Sequence, residues 1–212
     1  MIAALLAGAA LLAAAPAAGP APPATVPAPL AATLVEPAPE PIYSVPLGHA
    51  AGMLVGMRLG VSLLWPQAYD PLPLEHSLQQ YKLAWTQPPE FRRDRALLES
   101  DGDPWTINVI GHGLFGAEIY GRVRQCNGSV GSALAFTAGT SVLWEYGLEA
   151  TAKRPSALDL VLTPILGAAL GEGRYRLQRW LRTRPRGALR RTLEIVIDPL
   201  GEGERGIFAT KC

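Results

Sequence analysis

The stretch DPWTINVIGHGLFGAEIYGRVRQCNGSVGSALAFTAGTSVLWEYGLEATAKRPSALDLVLTPILGAALGEG, residues 103–173, decides the fold of this chain. It contains three apolar segments, and each carries a line of polar or small residues spaced four apart. The three lines are Asn108, His112, Gly116, Tyr120 and Arg124; Thr137, Ser141, Glu145, Glu149 and Lys153; and Asp159, Thr163, Gly167 and Gly171. Residues four apart lie on one face of a helix, so the pattern predicts three helices with polar ridges facing one another.

The boundaries of these helices are marked by capping residues. The predicted N-caps are Asp103 (followed by a proline), Ser129 and Ser156 (three residues before Asp159). We expect the first helix to end near Arg124, the second near Lys153 and the third before Pro185. Short turns join helices that lie antiparallel, which would bring the three ridges together.

Ionisable groups that face inward are costly unless they are paired, so the ridges predict structural partners, a ligand site or a catalytic site. The ligand-binding candidates are Asn108, His112, Glu145, Glu149, Arg154, Asp159, Thr163 and Glu172. The catalytic candidates among them are His112, Glu145 and Glu149. We expect His112, both glutamates and Asp159 to line one interior with Arg154 at its mouth.

Glu145 and Glu149 are a like-charge pair one helical turn apart, which is unfavourable without a proton or a cation between them. Together with His112 and Asp159 they have the composition of a zinc or hard-metal site. No HExxH motif and no second histidine accompany them, so the sequence predicts no metal site and specifies no cofactor.

The N-terminal region predicts export. Residues 1–18 contain a short apolar run that is typical of a signal peptide, although no Lys or Arg precedes it. Residues 19–46 form a Pro/Ala-rich linker. The expected location is therefore the cell envelope, on the periplasmic side of a membrane.

The rest of the chain predicts an all-α, membrane-associated bundle of about four main helices over residues 47–198, followed by a loose tail, 199–212. Leu47–Trp65 is the first long apolar segment, and it would either span a bilayer or pack as a buried helix. Leu74–Trp85 predicts a short amphipathic helix, either at a membrane interface or as a lid over the bundle. Thr192–Asp198 would be a strand or a short helix.

Composition is unusually apolar, with 49% hydrophobic and 17% charged residues against roughly 25% charged in a typical soluble domain. The net charge of +1 conceals an arginine-rich run, RYRLQRWLRTRPRGALRR, at residues 174–191. This run suits membrane lipid headgroups or another phosphate-bearing surface, or else it is a solvated basic helix end. Nucleic acid is the least favoured partner, since the motifs of the usual binding modules are absent.

Two cysteines, Cys126 and Cys212, make neither a disulfide framework nor a metal motif. Because Cys212 is the last residue, where disorder is the default, we expect the pair to be free, with a disulfide as the alternative.

The segment ATAKRPSALDLVLTPILGAALGE, residues 150–172, resembles the closing motif of VanZ-like membrane proteins. A longer set of motifs reads Pro88-Pro89, Asp103 with Trp105, Asn108 with Gly111-His112, Trp144-Glu145-Tyr146 with Glu149, and Pro155-Ser156, Asp159, Thr163-Pro164, Gly167 and Gly171-Glu172. Over about residues 88–172 the chain thereby resembles a bacterial domain-of-unknown-function family, number 3943, with Gly113 where that family prefers Pro. The resemblance implies an envelope-associated helical domain of unknown activity and supplies no catalytic assignment.

Three functions remain open on these grounds. The first is a membrane-associated protein that binds a lipid or phosphate-bearing ligand through its polar interior. The second is an enzyme acting on a lipid or phosphate ester with His112, Glu145 or Glu149, and an arginine from the Lys153–Arg154 turn. The third is a non-catalytic periplasmic interaction module.

Overall fold

The computed structural model describes residues 39–70, 73–208 and 212, with only the backbone of Glu204, Ile207 and Phe208. The predicted signal peptide and most of the predicted linker lie outside the described residues. The last linker residues are described, and the first helix starts among them, at Ser44.

The described residues form eight α-helices and no strand, apart from an isolated parallel bridge between Glu90 and Ser156. The helices are α1 (Ser44–Leu64), α2 (Pro66–Tyr69), α3 (Leu74–Thr86), α4 (His112–Gln125), α5 (Val130–Leu143), α6 (Ala157–Arg182), α7 (Ala188–Ile197) and α8 (Pro199–Phe208). The predicted all-α fold is confirmed.

Glycines set the distance between α4 and α6, which form the centre of the bundle. A Cβ atom on Gly116 would lie 2.4 Å from the carbonyl oxygen of Thr163, and one on Gly167 would lie 2.7 Å from the backbone of Gly116. Likewise a Cβ on Gly171 would meet the Tyr120 ring at 2.8 Å. Small residues one helical turn apart, such as Gly167 and Gly171, predict close helix packing, and the structure has it. This packing brings the first and third polar ridges together.

Two of the three predicted N-caps are present. The Oγ of Ser129 accepts a hydrogen bond from the Ser132 amide, and the Oγ of Ser156 accepts one from the Asp159 amide, both at 3.0 Å. Asp103 is not a cap, because its carboxylate pairs with Lys153 instead. The helical segment that leads into α4 begins at Trp105 and has no side-chain cap.

The two inner helices contain wide π-helical turns, Thr106–Gly111 before α4 and Trp144–Leu148 after α5. A tight 3-10 turn, Glu149–Thr151, follows the second. The predicted regular helix up to Lys153 is therefore wrong. The wide turn holds more residues than an α-helical turn, so Glu149 does not follow Glu145 on a regular helical ridge. The charge of Glu149 nevertheless still acts on Glu145.

The C-terminal region is more ordered than the sequence predicts. Residues of the ambiguous strand-or-helix segment belong to α7, and α8 occupies much of the segment expected to be a loose tail. The expectation of free cysteines is wrong, since Cys126 and Cys212 form a disulfide with their Cα atoms 5.0 Å apart. Their separation of 86 residues leaves no local signal, because the fold alone brings them together.

Helix α1 packs on one side only. Its Ala50 and Leu54 join a small apolar core with Phe115, Ile119 and Trp144. Its other side exposes large apolar residues, up to 82% for Leu63. Within the described residues, α1 is also the one helix long and apolar enough to cross a membrane.

Candidate functional site

The polar ridges of α4, α6 and the turn after α5 meet in a buried group of ionisable side chains. We call it the acidic interior, and its members are Asp101, His112, Glu145 and Asp159. Asp159 and Glu145 are fully buried, and His112 is 7% exposed. One potential ligand atom from each of these three residues lies within 4.8 Å of the other two.

Asp159 is the least satisfied member of the acidic interior. Its amide is tied to Ser156, but neither carboxyl oxygen accepts a hydrogen bond from a donor among the described residues. When protonated, the carboxyl can itself donate to Asp101. Burial, followed by the neighbouring Asp101 carboxylate, raises the pKa of Asp159 to about 8. The carboxyl therefore favours a bound proton or a nearby cation.

Glu145 is anchored through one oxygen only. Its Oε2 accepts a hydrogen bond from the Ser156 amide at 2.7 Å, whereas Oε1 is buried and accepts none from the part of the chain that the structure describes. Burial, and then the charge of Glu149, raises the pKa of Glu145 well above its usual value. Like Asp159, Glu145 therefore has a buried carboxyl oxygen that accepts no hydrogen bond from the described residues.

His112 connects α4 to α6. Its Nδ1 lies 3.0 Å from the Oγ1 of Thr163, and its Nε2 lies 3.5 Å from Oδ2 of Asp159. Burial lowers the pKa of His112, which favours the neutral imidazole. Thr163 thus orients the ring so that Nε2 faces the carboxyl group of Asp159.

Asp101 differs from the other acids because its oxygens are used. Oδ1 accepts hydrogen bonds from Asn108 at 2.8 Å and the Asp103 amide at 3.1 Å, and Oδ2 accepts one from Ser156 at 2.8 Å. Burial opposes ionisation, but the hydrogen bonds from Ser156 and Asn108 prevail and lower the pKa of Asp101. Asp101 and Asn108 therefore support the acidic interior from behind.

A second set of charges lies beside this interior. Glu149 accepts a hydrogen bond from the hydroxyl of Tyr69 at 2.7 Å and pairs with Lys153 at 3.3 Å, and Lys153 also pairs with Asp103. Burial opposes the charge on Lys153, but the two carboxylates raise its pKa. Burial and Glu149 together raise the pKa of Tyr69.

These charges form the floor of a pocket of about 530 Å³ beside α1, which we call the α1 pocket. Its apolar walls include Met57, Val61, Trp65 and Trp144. Its polar lining includes Tyr69, Asp103, His112, Glu149 and Lys153. With two carboxylates against one lysine, the floor disfavours a phosphate group.

Two predicted site residues lie elsewhere. Arg154 is not at the mouth of the acidic interior, since its guanidinium contacts Glu90 at 3.5 Å and Gln87 at 3.1 Å. Glu172 lies near the other end of α4, where Tyr120, Arg124 and Arg176 surround it. The hypothesis of an enzyme acting on a phosphate ester expected an arginine at this site, and none is there among the described residues. The two ring nitrogens of His112 already lie beside Thr163 and Asp159.

The sequence did not single out Tyr69, Asp101 or the pairing role of Lys153. Tyr69 reaches Glu149 across 80 residues, so no local pattern indicates it. Asp101 precedes Asn108 by two helical turns of sequence, which is the one signal that could have suggested it.

A further buried network ties the end of α4 to the C-terminal helices. We call it the Asp198 cluster, and its members are Arg122, Gln125, Gln178, Asp198 and Arg205. Asp198 is 3% exposed, and burial would raise its pKa, but the bond from Arg205 and the charge of Arg122 lower it. The donors of the Asp198 cluster therefore stabilise the fold by pairing with the carboxylate of Asp198.

The model of the family described as "Domain of unknown function (DUF3943)" matches residues 98–200. This region of the chain, which contains the whole acidic interior, belongs to that family. No curated protein and no solved structure matches the chain. None of these comparisons supports the VanZ-like resemblance.

Proposed function

We propose that this chain is a membrane-associated protein of the cell envelope whose α1 pocket binds an amphipathic, lipid-type ligand. The observation that carries the proposal is the division of the pocket into an apolar wall, formed by Met57, Val61 and Trp65, and a polar floor with Tyr69 and Glu149. Such a division matches a molecule with an alkyl chain and a polar end. The acidic floor favours a neutral hydroxyl-bearing or a cationic end over a phosphate.

Membrane association is supported by the exposed face of α1 and by the end of α6 with α7. Six arginines there are exposed, namely Arg176, Arg179, Arg182, Arg184, Arg186 and Arg191. Large apolar residues lie among them, including Leu189 at 74% and Val196 at 70% exposure. Basic and apolar side chains on one surface are typical of contact with anionic lipid.

Ligand binding can be tested by titrating the full chain with dodecyl maltoside, dodecyltrimethylammonium and dodecyl phosphate below their micelle concentrations. Trp65 and Trp144 line the pocket, so tryptophan fluorescence reports occupancy. We expect saturable binding of the first two and weaker binding of the phosphate. Ala68 lines the pocket and is exposed, so Ala68→Phe should fill it and weaken binding about tenfold or more.

Ala51→Phe, at an exposed position of α1 outside the pocket, is the matched control and should bind as the wild type does. Equal binding by both variants would reject the pocket as the binding site.

Membrane association is tested separately, by a carbonate wash of the isolated envelope. Release of the protein into the soluble fraction would exclude an integral attachment.

A further inference from the structure

The acidic interior presents an electrostatic problem that its protein partners do not solve. Asp159 and Glu145 are both fully buried, and three of their four carboxyl oxygens accept no hydrogen bond from the described residues. Lys153 does not solve it, because its amine pairs with Glu149 and Asp103. Buried carboxylates without donors are rare in stable folds unless a proton or a metal ion accompanies them.

We infer that His112, Glu145 and Asp159 are the ligands of a divalent transition-metal ion bound between α4, α6 and the turn after α5. Their ligand atoms already lie within 4.8 Å of one another. His112 Nε2 and Asp159 Oδ2 are 3.5 Å apart, close to the roughly 3.3 Å between two ligands that each lie about 2 Å from a tetrahedral ion.

The surroundings of each ligand match those of a metal site. Thr163 holds Nδ1 of His112, so the neutral ring directs Nε2 inward, as the outer hydrogen-bond partner of a ligating histidine does. The Ser156 amide holds Oε2 of Glu145 and leaves Oε1 free. Neither oxygen of Asp159 accepts a hydrogen bond from the described residues, and its backbone is fixed by Ser156.

The donor set also indicates the class of ion. One neutral imidazole and two carboxylates together carry two negative charges, which a divalent ion neutralises. Imidazole with carboxylate oxygens suits Zn²⁺, Fe²⁺ or Mn²⁺. His112 also lines the α1 pocket, which offers a path for the ion and an open side for a further ligand. The inference does not depend on the binding of an amphiphile.

The test measures metal in the full chain, purified without an affinity tag of histidines. Mass spectrometry of the elements should find about one transition-metal ion per chain. Glu145→Gln and Asp159→Asn should each lower that content about tenfold or more. Glu118→Gln, which alters a carboxylate on α4 that contacts Arg174, should retain it.

Stability and spectroscopy provide independent readouts. After chelation, added Zn²⁺ or Mn²⁺ should raise the melting temperature of the wild type and Glu118→Gln but not of the two ligand variants. The Glu145→Gln variant keeps an acceptor for the Ser156 amide, so circular dichroism should show a folded protein. If it does not fold, Co²⁺ titration of the wild type still tests the site through its visible absorption.

Two results would overturn the inference. One is a wild-type chain that purifies without stoichiometric metal and whose melting temperature and absorption do not respond to Zn²⁺, Mn²⁺, Fe²⁺ or Co²⁺. The other is a metal content that Glu145→Gln and Asp159→Asn leave unchanged. Either result would assign the free oxygens of Asp159 and Glu145 to protonated carboxyl groups instead.

Discussion

The acidic interior and the Asp198 cluster both contain buried carboxylates, but Asp198 has several hydrogen-bond donors whereas Asp159 has none among the described residues. Asp198 accepts hydrogen bonds from Gln125, Gln178 and Arg205, and its pKa is lowered. Asp159 accepts none from the described residues, and its pKa is raised to about 8. The first arrangement stabilises the fold through its own residues, whereas the second is completed by something that the polypeptide does not provide.

Substitution of Asp198 should have the largest effect on the free energy of unfolding. Asp198→Ala would remove the acceptor shared by Gln125, Gln178 and Arg205, and we expect a loss of about 3–5 kcal/mol in the free energy of unfolding. Urea denaturation measures the loss. Asp159→Asn in chelated protein should change stability by no more than about 1 kcal/mol, because it removes a carboxylate that has no donor. Equal losses would end the distinction between the two regions.

The disulfide adds covalent support on the side of the Asp198 cluster, because Cys126 directly follows Gln125 at the end of α4. Cys126→Ser should lower the free energy of unfolding by about 2–4 kcal/mol, since the bond closes a long loop in the unfolded chain. Chemical denaturation with and without a thiol reductant measures it. Reductant should produce the same loss in the wild type and no further loss in the variant.

Close packing of α4 on α6 is what brings His112 to Asp159. Gly116→Ala would force a Cβ against the Thr163 carbonyl and should cost about 1–3 kcal/mol. Gly121→Ala, on the same helix with open space around it, should instead be neutral or stabilising by up to about 1 kcal/mol. Thermal melts of the two variants compare them directly. Similar losses would mean that helix propensity, and not contact with α6, governs both positions.

Glu149 belongs to neither extreme, since it has donors but only two. Glu149→Ala should destabilise the protein by about 1–3 kcal/mol, because the Tyr69 hydroxyl and Lys153 lose their shared acceptor. Glu149→Gln keeps an acceptor for Tyr69 and should lose less. Thermal melts again measure the change, and an unaltered Glu149→Ala protein would show that this contact contributes nothing.

Mild acid should have the smallest effect, and its sign follows from the lowered pKa of Asp198. A carboxyl whose pKa is lower in the folded state contributes its full stability above the unfolded pKa of about 4. That contribution is lost as the pH falls from about 4 through the lowered folded value. Melts between neutral pH and about pH 3 should therefore show the wild type converging on Asp198→Asn. A constant gap between them would contradict this linkage.

Local patterns account for much of the helical fold. The four-residue ridges and the capping serines Ser129 and Ser156 predicted the inner helices and the turn between α4 and α5, where Asn127 has a φ of +66°. The glycines at 167 and 171 predicted close helix packing. These features are local because a cap, a helical face or a missing Cβ acts within one or two turns of the chain.

The candidate site was predictable only in part. The ridges correctly brought His112 and Asp159 to one interior, and Glu145 beside them. They did not place Glu172, which follows the last ridge residue, Gly171, and pairs with Arg124 and Arg176 at the other end of α4. The sequence misplaced Arg154. The direction in which a side chain leaves a turn depends on neighbours that are distant in sequence, such as Glu90.

By itself, then, the sequence determined that this is an all-α chain with polar groups on the inner faces of three helices. Only the tertiary structure decided which of those groups are satisfied. Tyr69 meets Glu149, Cys212 meets Cys126 and Arg205 meets Asp198 because separate elements pack together, whereas no donor among the described residues reaches Asp159. The physical reason is that helix formation depends on neighbours along the chain, but the partner of a buried charge depends on every element that surrounds it.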